Sequence, residues 1–255
     1  MIYAMIQARM GSSRLPGKVM KEVLGKPILQ HIIERLDFCN EIDKIIVITS
    51  DEAENEPIRE LCDNLSVDCF SGNEFDVLDR YYQAAIVLNL NDGDNIVRIT
   101  ADCPLIDPKI VDEVIRKPLE GNFDYTTNTL IRSFPDGLDC EVFTVPILKE
   151  MWDTAKLKSE REHVTLFIKN NPDNYNLGNI KQDCDLSDLR WTVDEKEDFI
   201  LIKKIYECLY DEEKIFLMED ILELFNNNPS LLKINDMYER NEGLMKSLEN
   251  DEEIR

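Results

Sequence analysis

The chain is short of positive charge: 29 lysines and arginines stand against 52 aspartates and glutamates in 255 residues, a formal net charge of -23. Phosphate-backbone binding needs a basic footprint, so this balance argues against nucleic acid and anionic membrane surfaces as partners. No apolar run approaches the roughly 18 residues that a membrane-spanning helix requires. The N-terminal run Met1–Ile6 breaks at Gln7 and Arg9, too short for a signal-peptide core. The seven cysteines, at 39, 62, 69, 103, 140, 184 and 208, include no C-x-x-C pair. An odd, scattered set supplies neither a disulfide framework nor a zinc cluster and reads as reduced thiols. Internal repeats and low-complexity linkers are also lacking. What remains is a soluble, cytoplasmic globular chain whose 43% apolar content suffices for a core.

Short β-branched apolar runs at Ile2–Ile6, Lys44–Thr49, Ser66–Phe70 and Asn95–Thr100 suit buried strands. Between them, Ile28, Leu29, Ile32, Ile33 and Leu36 recur at helical spacing behind Pro27, as do Val77, Leu78, Tyr81, Tyr82, Ala85 and Leu88. This alternation predicts an α/β fold with a mostly parallel sheet and helices on both faces. After about residue 120 the pattern shifts to strands at Phe123–Thr127 and Asp139–Phe143 and helices at Val145–Ala155 and Glu160–Asn170, read as a small lid or insertion over about 123–172. Residues 1–210 then form the main domain. A mostly helical extension over 211–255 carries 13 acidic and 5 basic side chains, the composition of a solvated face.

One place reverses the sign. Residues 1–35 hold six cations, Arg9, Arg14, Lys18, Lys21, Lys26 and Arg35, against two acids, Glu22 and Glu34. Ala8-Arg-Met-Gly-Ser-Ser-Arg-Leu-Pro-Gly-Lys18 follows the first strand, and a strand–turn–helix of this kind lets backbone N–H groups converge on an anion. The spacing is neither G-x-x-x-x-G-K-[ST], because Val19 follows Lys18, nor G-x-G-x-x-G. Three cations over ten residues match a polyphosphate, and with no Ser/Thr after Lys18 any metal ligands must come from elsewhere.

The run Q-A-R-M-G-S-S-R-L-P-G-K resembles the cytidylyltransferases grouped with spore coat polysaccharide biosynthesis proteins and acylneuraminate cytidylyltransferases. The likeness continues through Ser71-Gly72 with Asp76–Arg80, Arg98–Leu105, Pro135–Glu141, Ser159–Thr165 and Arg190–Asp194, covering most of residues 1–200, and 228–248 also looks like a tail of this group. The resemblance implies a three-layer α/β/α, Rossmann-like sheet of the glycosyltransferase-A type. It implies a Mg²⁺-dependent nucleotidyltransferase with CTP as substrate and pyrophosphate as leaving group. By the same resemblance Arg9, Arg14 and Lys18 grip the triphosphate and stabilise the leaving charge, while Ala8, Gly11, Ser12, Ser13, Ser71, Gly72, Asp76, Arg80, Thr100 and Ala101 bind the nucleotide. Asp102, at the carboxyl end of the strand N-I-V-R-I-T-A, and Asp194, after R-W-T-V, match the metal-binding aspartates. Either could instead cap the element that follows it.

For the acceptor, Arg132, Asp136, Asp139, Glu141, Arg161, Glu162 and His163 lie in the expected lid. Arg132 and Arg161 could pair with an acceptor carboxylate or phosphate, and His163 sits in a polar run, whereas His31, on an amphipathic helix, reads as structural. The acceptor implied is a sugar acid or a small phosphorylated or phosphonate molecule on the way to surface polysaccharide. A homodimer is implied, with Phe134, Leu138 and Phe143 as an exposed contact surface. Residue types alone leave open a guanylyl- or uridylyltransferase acting on a sugar phosphate, a glycosyltransferase consuming a nucleotide sugar, or an inactive assembly partner. T-A-D-C-P in place of an acidic D-x-D argues against the glycosyltransferase, and the loop together with both aspartates argues against the inactive partner.

Overall fold

The computed structural model describes residues 1–238, 240 and 242–253; Glu239, Asn241, Ile254 and Arg255, all in the expected C-terminal extension, lie outside the described residues. The chain opens with β1 (Ile2–Gln7), the hairpin β2 (Glu22–Val23) and β3 (Lys26–Pro27), α1 (Ile28–Leu36) and β4 (Lys44–Ser50). It continues through α2 (Glu56–Leu65), β5 (Asp68–Gly72), α3 (Val77–Val87), β6 (Asn95–Thr100), α4 (Pro108–Gly121), β7 (Tyr125–Thr127) and β8 (Glu141–Thr144). The remainder is helical, α5 (Val145–Thr154), α6 (Lys158–Glu162), α7 (Leu166–Asn170), α8 (Lys196–Leu209), α9 (Met218–Asn227) and α10 (Glu242–Glu249), apart from β9 (Leu177–Asn179).

Seven strands form one mixed sheet in the order β5-β4-β1-β6-β8-β7-β9, with β2 and β3 apart. The β5-β4-β1-β6 half is parallel, and β8 runs antiparallel to both β6 and β7. Strand side chains alternate between the faces, so Ala4 and Ile6 join one buried cluster and Met5 the other. Helices α1, α4, α8 and α9 feed the first cluster, and α3 and α5 feed the second. The result is the α/β/α sandwich that the alternating pattern predicts. On leaving β1 the chain builds β4 to one side and later returns to place β6 on the other, so the carboxyl ends of β1 and β6 border a topological switch point. Open α/β sheets bind ligands at such crevices.

The structure corrects several details. The third strand starts at Asp68 rather than Ser66, because Ser66 ends α2 in the left-handed conformation, its amide returning to the Asp63 carbonyl. The helix expected over Glu160–Asn170 is two short helices, broken at Val164, a buried β-branched residue at φ +53°. Phe134, Leu138 and Phe143 are buried in the two core clusters and form no exposed contact surface. The segment read as a lid gives β7 and β8 to the main sheet, and the extension is not a uniformly solvated face, since Phe216, Met218, Ile221 and Phe225 pack into the core. His31 is buried, its Nε2 2.8 Å from the Val23 carbonyl oxygen.

Candidate active site

The loop after β1 is shaped by its backbone. The Ala8 amide extends the β1–β4 pairing by donating to the Ile48 carbonyl, and the Met10 carbonyl accepts from the amides of both Ser12 and Gly17. Buried Asn55 accepts from the Met10 amide at 2.8 Å and donates to Ser50 Oγ at 2.7 Å, fixing the loop's entry. The loop thus carries Arg9, Arg14 and Lys18 into a cleft of about 590 Å³ at the switch point.

Across the cleft lie the two aspartates, 92 residues apart in sequence. The Asp102 carbonyl accepts from the Val193 amide at 2.7 Å and from Thr192 Oγ1 at 3.1 Å, so the 192–194 segment is laid directly against the end of β6. Gly137 packs against the backbone just before this segment. It sits at φ +105°, and a Cβ there would come within 2.6 Å of the Trp191 carbonyl carbon. Lys18 Nζ bridges the pair, 3.0 Å from Asp102 Oδ2 and 2.7 Å from Asp194 Oδ1. Burial raises the Asp102 pKa, but the Lys18 charge and the Thr100 hydroxyl outweigh it and hold the carboxyl at about 2. Burial likewise opposes the charge on Lys18, and Asp102 and Asp194 overcome it, raising its pKa. Arg14 meets Asp194 at 2.9 Å, Glu195 at 3.4 Å and Glu242 at 3.1 Å, and Arg9 meets Glu74 at 2.8 Å.

A divalent cation fits this donor set. Mg²⁺ takes one or two carboxylates and completes its shell with water and phosphate oxygens. Two carboxylate oxygens converge here on a single ammonium nitrogen, a cation already at home between them. Asp194 does not cap α8; Asp198 does so, accepting from the amides of Asp194 and Glu195, which leaves the Asp194 carboxylate turned to the cations.

Of the residues singled out in the sequence, the cleft gathers Ala8, Arg9, Gly11, Ser12, Ser13, Arg14, Lys18, Arg80, Thr100, Ala101, Asp102, Asp136, Asp139, Glu162, His163 and Asp194. Arg80 is buried, donates through Nη1 to the Asn73 carbonyl and leaves its buried Nε without a partner among the described residues. Asp136 has its pKa raised to about 6 by burial, which Arg240 and Arg190 only partly offset. His163 Nε2 is buried and unpartnered among the described residues, and burial lowers its pKa.

Six of the expected contacts stand away from the cleft lining. Ser71 and Gly72 belong to β5, in register with Thr49 and Ser50. Asp76 caps α3 through the Asp79 amide and is engaged by Arg161, whose Nη1 also donates to the Trp152 carbonyl, so the two tie α6 to α3. Glu141 is buried among Arg98, Tyr125, Thr165 and Lys169. Burial opposes its charge, and Lys169 and Arg98 overcome it, pulling its pKa down. Arg132 is exposed outside the cleft.

Other lining residues were not assigned in advance. Gln7 and Arg98 line the β1–β6 edge, Arg98 Nε donating to Gln7 Oε1 at 3.1 Å. Arg190 grips Asp198 through Nε and Nη2 at 2.9 Å and approaches Asp136 and Asp194. These three stand inside the motifs quoted above, which was their only signal. Arg240, which stands outside the lining and pairs with Asp136 at 3.3 Å and Asp139 at 2.5 Å, and Glu242, Gly243, Leu244, Lys246 and Ser247 on the cleft had no signal beyond the tail resemblance over 228–248.

A mostly parallel sheet that sets a cationic serine- and glycine-bearing loop at one strand end and a carboxylate pair beside it defines a nucleotidyltransferase. The chain belongs to the cytidylyltransferase family, whose sequence profile matches residues 3–254. It is 30% identical over 235 residues to the spore coat polysaccharide biosynthesis protein SpsF of Bacillus subtilis, covering 89% of this chain and 95% of that one. It is 32% identical over 174 residues to a 3-deoxy-manno-octulosonate cytidylyltransferase of Geobacter metallireducens, covering 67% and 61%. Its fold is similar to that of a cytidylyltransferase from Leptospira borgpetersenii, with a TM-score of 0.85 at 33% identity over 91% of this chain and 96% of that one.

Proposed function

We propose that the enzyme transfers CMP from CTP to a sugar acid, or to a comparable small anionic acceptor, with release of pyrophosphate, in the making of surface-glycan precursors. The observation that carries this reading is the placement of Lys18 between Asp102 and Asp194 at the edge of a loop that also holds Arg9 and Arg14. A triphosphate brings several negative charges, and such a loop matches them with three cations and the amides of Gly11 and Ser13.

When the nucleotide enters, Lys18 and Arg14 turn from carboxylates to phosphate oxygens. Asp102 and Asp194 are then left facing a polyanion, and this charge conflict is what a divalent cation resolves. Mg²⁺ held by the two aspartates supplies neutralisation of the triphosphate. The chain's own groups do the rest: Arg9, Arg14 and Lys18 fix the triphosphate for in-line attack and stabilise the charge that grows on the departing pyrophosphate. Arg80, which lines the cleft, is assigned to the base. Asp136, Asp139, Glu162 and His163 lie where an acceptor can meet sugar-hydroxyl donors and acceptors.

The sugar-acid assignment draws on the relative named as a 3-deoxy-manno-octulosonate cytidylyltransferase. Its test is pyrophosphate release from CTP, GTP, UTP and ATP, each offered with acidic sugars and with phosphorylated or phosphonate acceptors, with and without Mg²⁺. CTP with an acidic sugar and Mg²⁺ is the active combination on this reading; a guanylyl- or uridylyltransferase would prefer GTP or UTP. The cytoplasmic location expected from the cysteines and apolar runs and the homodimer implied by the resemblance belong to the same proposal, and light scattering of the purified chain tests the dimer.

A further inference from the structure

The C-terminal strap forms one wall of the cleft, and the way it is held is distinctive. In α10, Glu242, Gly243, Lys246 and Ser247 share one helical face, at i, i+1, i+4 and i+5, and all four line the cleft. Met245 and Leu248 point outward and stay exposed, and no residue of α10 is buried. Polar contacts hold the strap in place. Arg240 ties its start to Asp136 and Asp139, Ser247 Oγ donates to Glu162 at 3.0 Å, and Asp251 accepts from the amide and hydroxyl of Ser159 at 2.9 and 2.6 Å. These partners surround the acceptor end of the cleft.

The cations facing the cleft differ in one respect. Arg9, Arg14, Lys18, Arg98 and Arg190 are each committed to carboxylates, and Arg80 is buried. Lys246 is exposed and has no ion pair among the described residues. It lines the cleft together with three acids, Asp136, Asp139 and Glu162, of which Asp136 is engaged by Arg240 and Arg190 and Asp139 by Arg240. The arginines nearest these acids are spent on them, so an anionic acceptor entering there needs a cation of its own, and Lys246 has no ion pair among the described residues.

We propose that Lys246, presented by the C-terminal strap, is the acceptor-binding residue that receives the acceptor's carboxylate or phosphate. The proposal rests on the reading of the cleft as a cytidylyltransferase site for an anionic acceptor. The strap's acidic composition hides this role, because the one basic residue of α10 sits on the face that looks inward.

The test is steady-state kinetics of the full chain at saturating CTP and Mg²⁺, varying an acidic sugar in one arm and a phosphorylated acceptor in the other. A charge-assisted hydrogen bond corresponds to about a tenfold effect or more. Lys246→Gln is therefore expected to raise the acceptor KM about tenfold in the arm carrying the true acceptor class, with kcat, CTP KM and melting temperature close to wild type. Lys246→Arg recovers most of the loss. An unchanged acceptor KM in Lys246→Gln, with wild type active, overturns this assignment alone. A wild-type enzyme that transfers CMP only to neutral acceptors overturns the anionic-acceptor reading and this assignment with it.

Discussion

Glu242 Oε2 lies 3.1 Å from Arg14 Nη1, joining two residues 228 positions apart in sequence. Arg14 belongs to the loop proposed to hold the triphosphate and Glu242 to the strap, so a carboxylate of the strap sits on a cation that the proposal gives to the nucleotide. The two anions compete for one guanidinium. Glu242→Gln removes the competing charge while keeping the shape, and CTP binding is expected to tighten by up to about fivefold, as for partly exposed ion pairs. Titration calorimetry with CTP checks this; equal or weaker binding would show that Glu242 does not oppose the nucleotide.

Asp102→Asn keeps the volume and removes one of the two charges proposed to hold the metal. The expected outcome is a fall in kcat of about 100-fold or more, the scale of losing one electrostatic contact to the developing charge. The melting temperature should stay within a few degrees of wild type, since the carbonyl that accepts from Val193 is untouched. Pyrophosphate release and a thermal melt together make the measurement.

Gly137→Ala addresses the backbone just before the joint that brings the two aspartates together. At φ +105° a side chain is strained, and its Cβ would collide with the backbone of Trp191 and Thr192. A cost of about 3 kcal/mol or more is expected, or a drop in melting temperature of about 6 °C or more for a chain of this size. Activity should fall with it, because the same backbone carries Asp194.

Asp136 predicts a pH signature. Burial raises its pKa to about 6, above the ordinary carboxylate value, so the folded state prefers the neutral acid despite Arg240 and Arg190, and with Asp139 and Asp102 adding repulsion. A raised folded-state pKa gives a contribution that is full below the unfolded value and is lost as pH rises through about 6. Asp136→Asn lacks this loss. Its stability relative to wild type should therefore increase between pH 4 and pH 7, by about 1 to 3 kcal/mol. Urea unfolding at both pH values reads the difference.

How much of this was legible beforehand depends on distance along the chain. The loop at Ala8–Lys18 stood out because its cations, serines and glycines are contiguous, and Asp102 because it ends an apolar strand. Their union with Asp194 was read from a motif; the physical cause, the Val193–Asp102 backbone bond, with Gly137 packed against the backbone just before it, appears only in three dimensions. Asp76, Glu141 and Arg161 looked like ligand contacts because charge in a motif carries no record of its partner. In the fold they satisfy a helix cap, a buried strand pair and each other. Arg240, Glu242 and Lys246 fell inside a tail that resembled the family's, but their place at the cleft was not legible, since an acidic amphipathic tail has the same composition whether it faces solvent or a cleft.

The central claim is that the cleft joins the α-phosphate of CTP to an anionic acceptor. Phosphorus-31 NMR of the enzyme with CTP, Mg²⁺ and 3-deoxy-manno-octulosonate or another acidic sugar follows both products at once. The account predicts one CMP phosphodiester resonance appearing for each pyrophosphate released. Consumption of a CMP- or UDP-linked sugar without pyrophosphate chemistry, alongside no reaction of CTP with any acceptor, would contradict it.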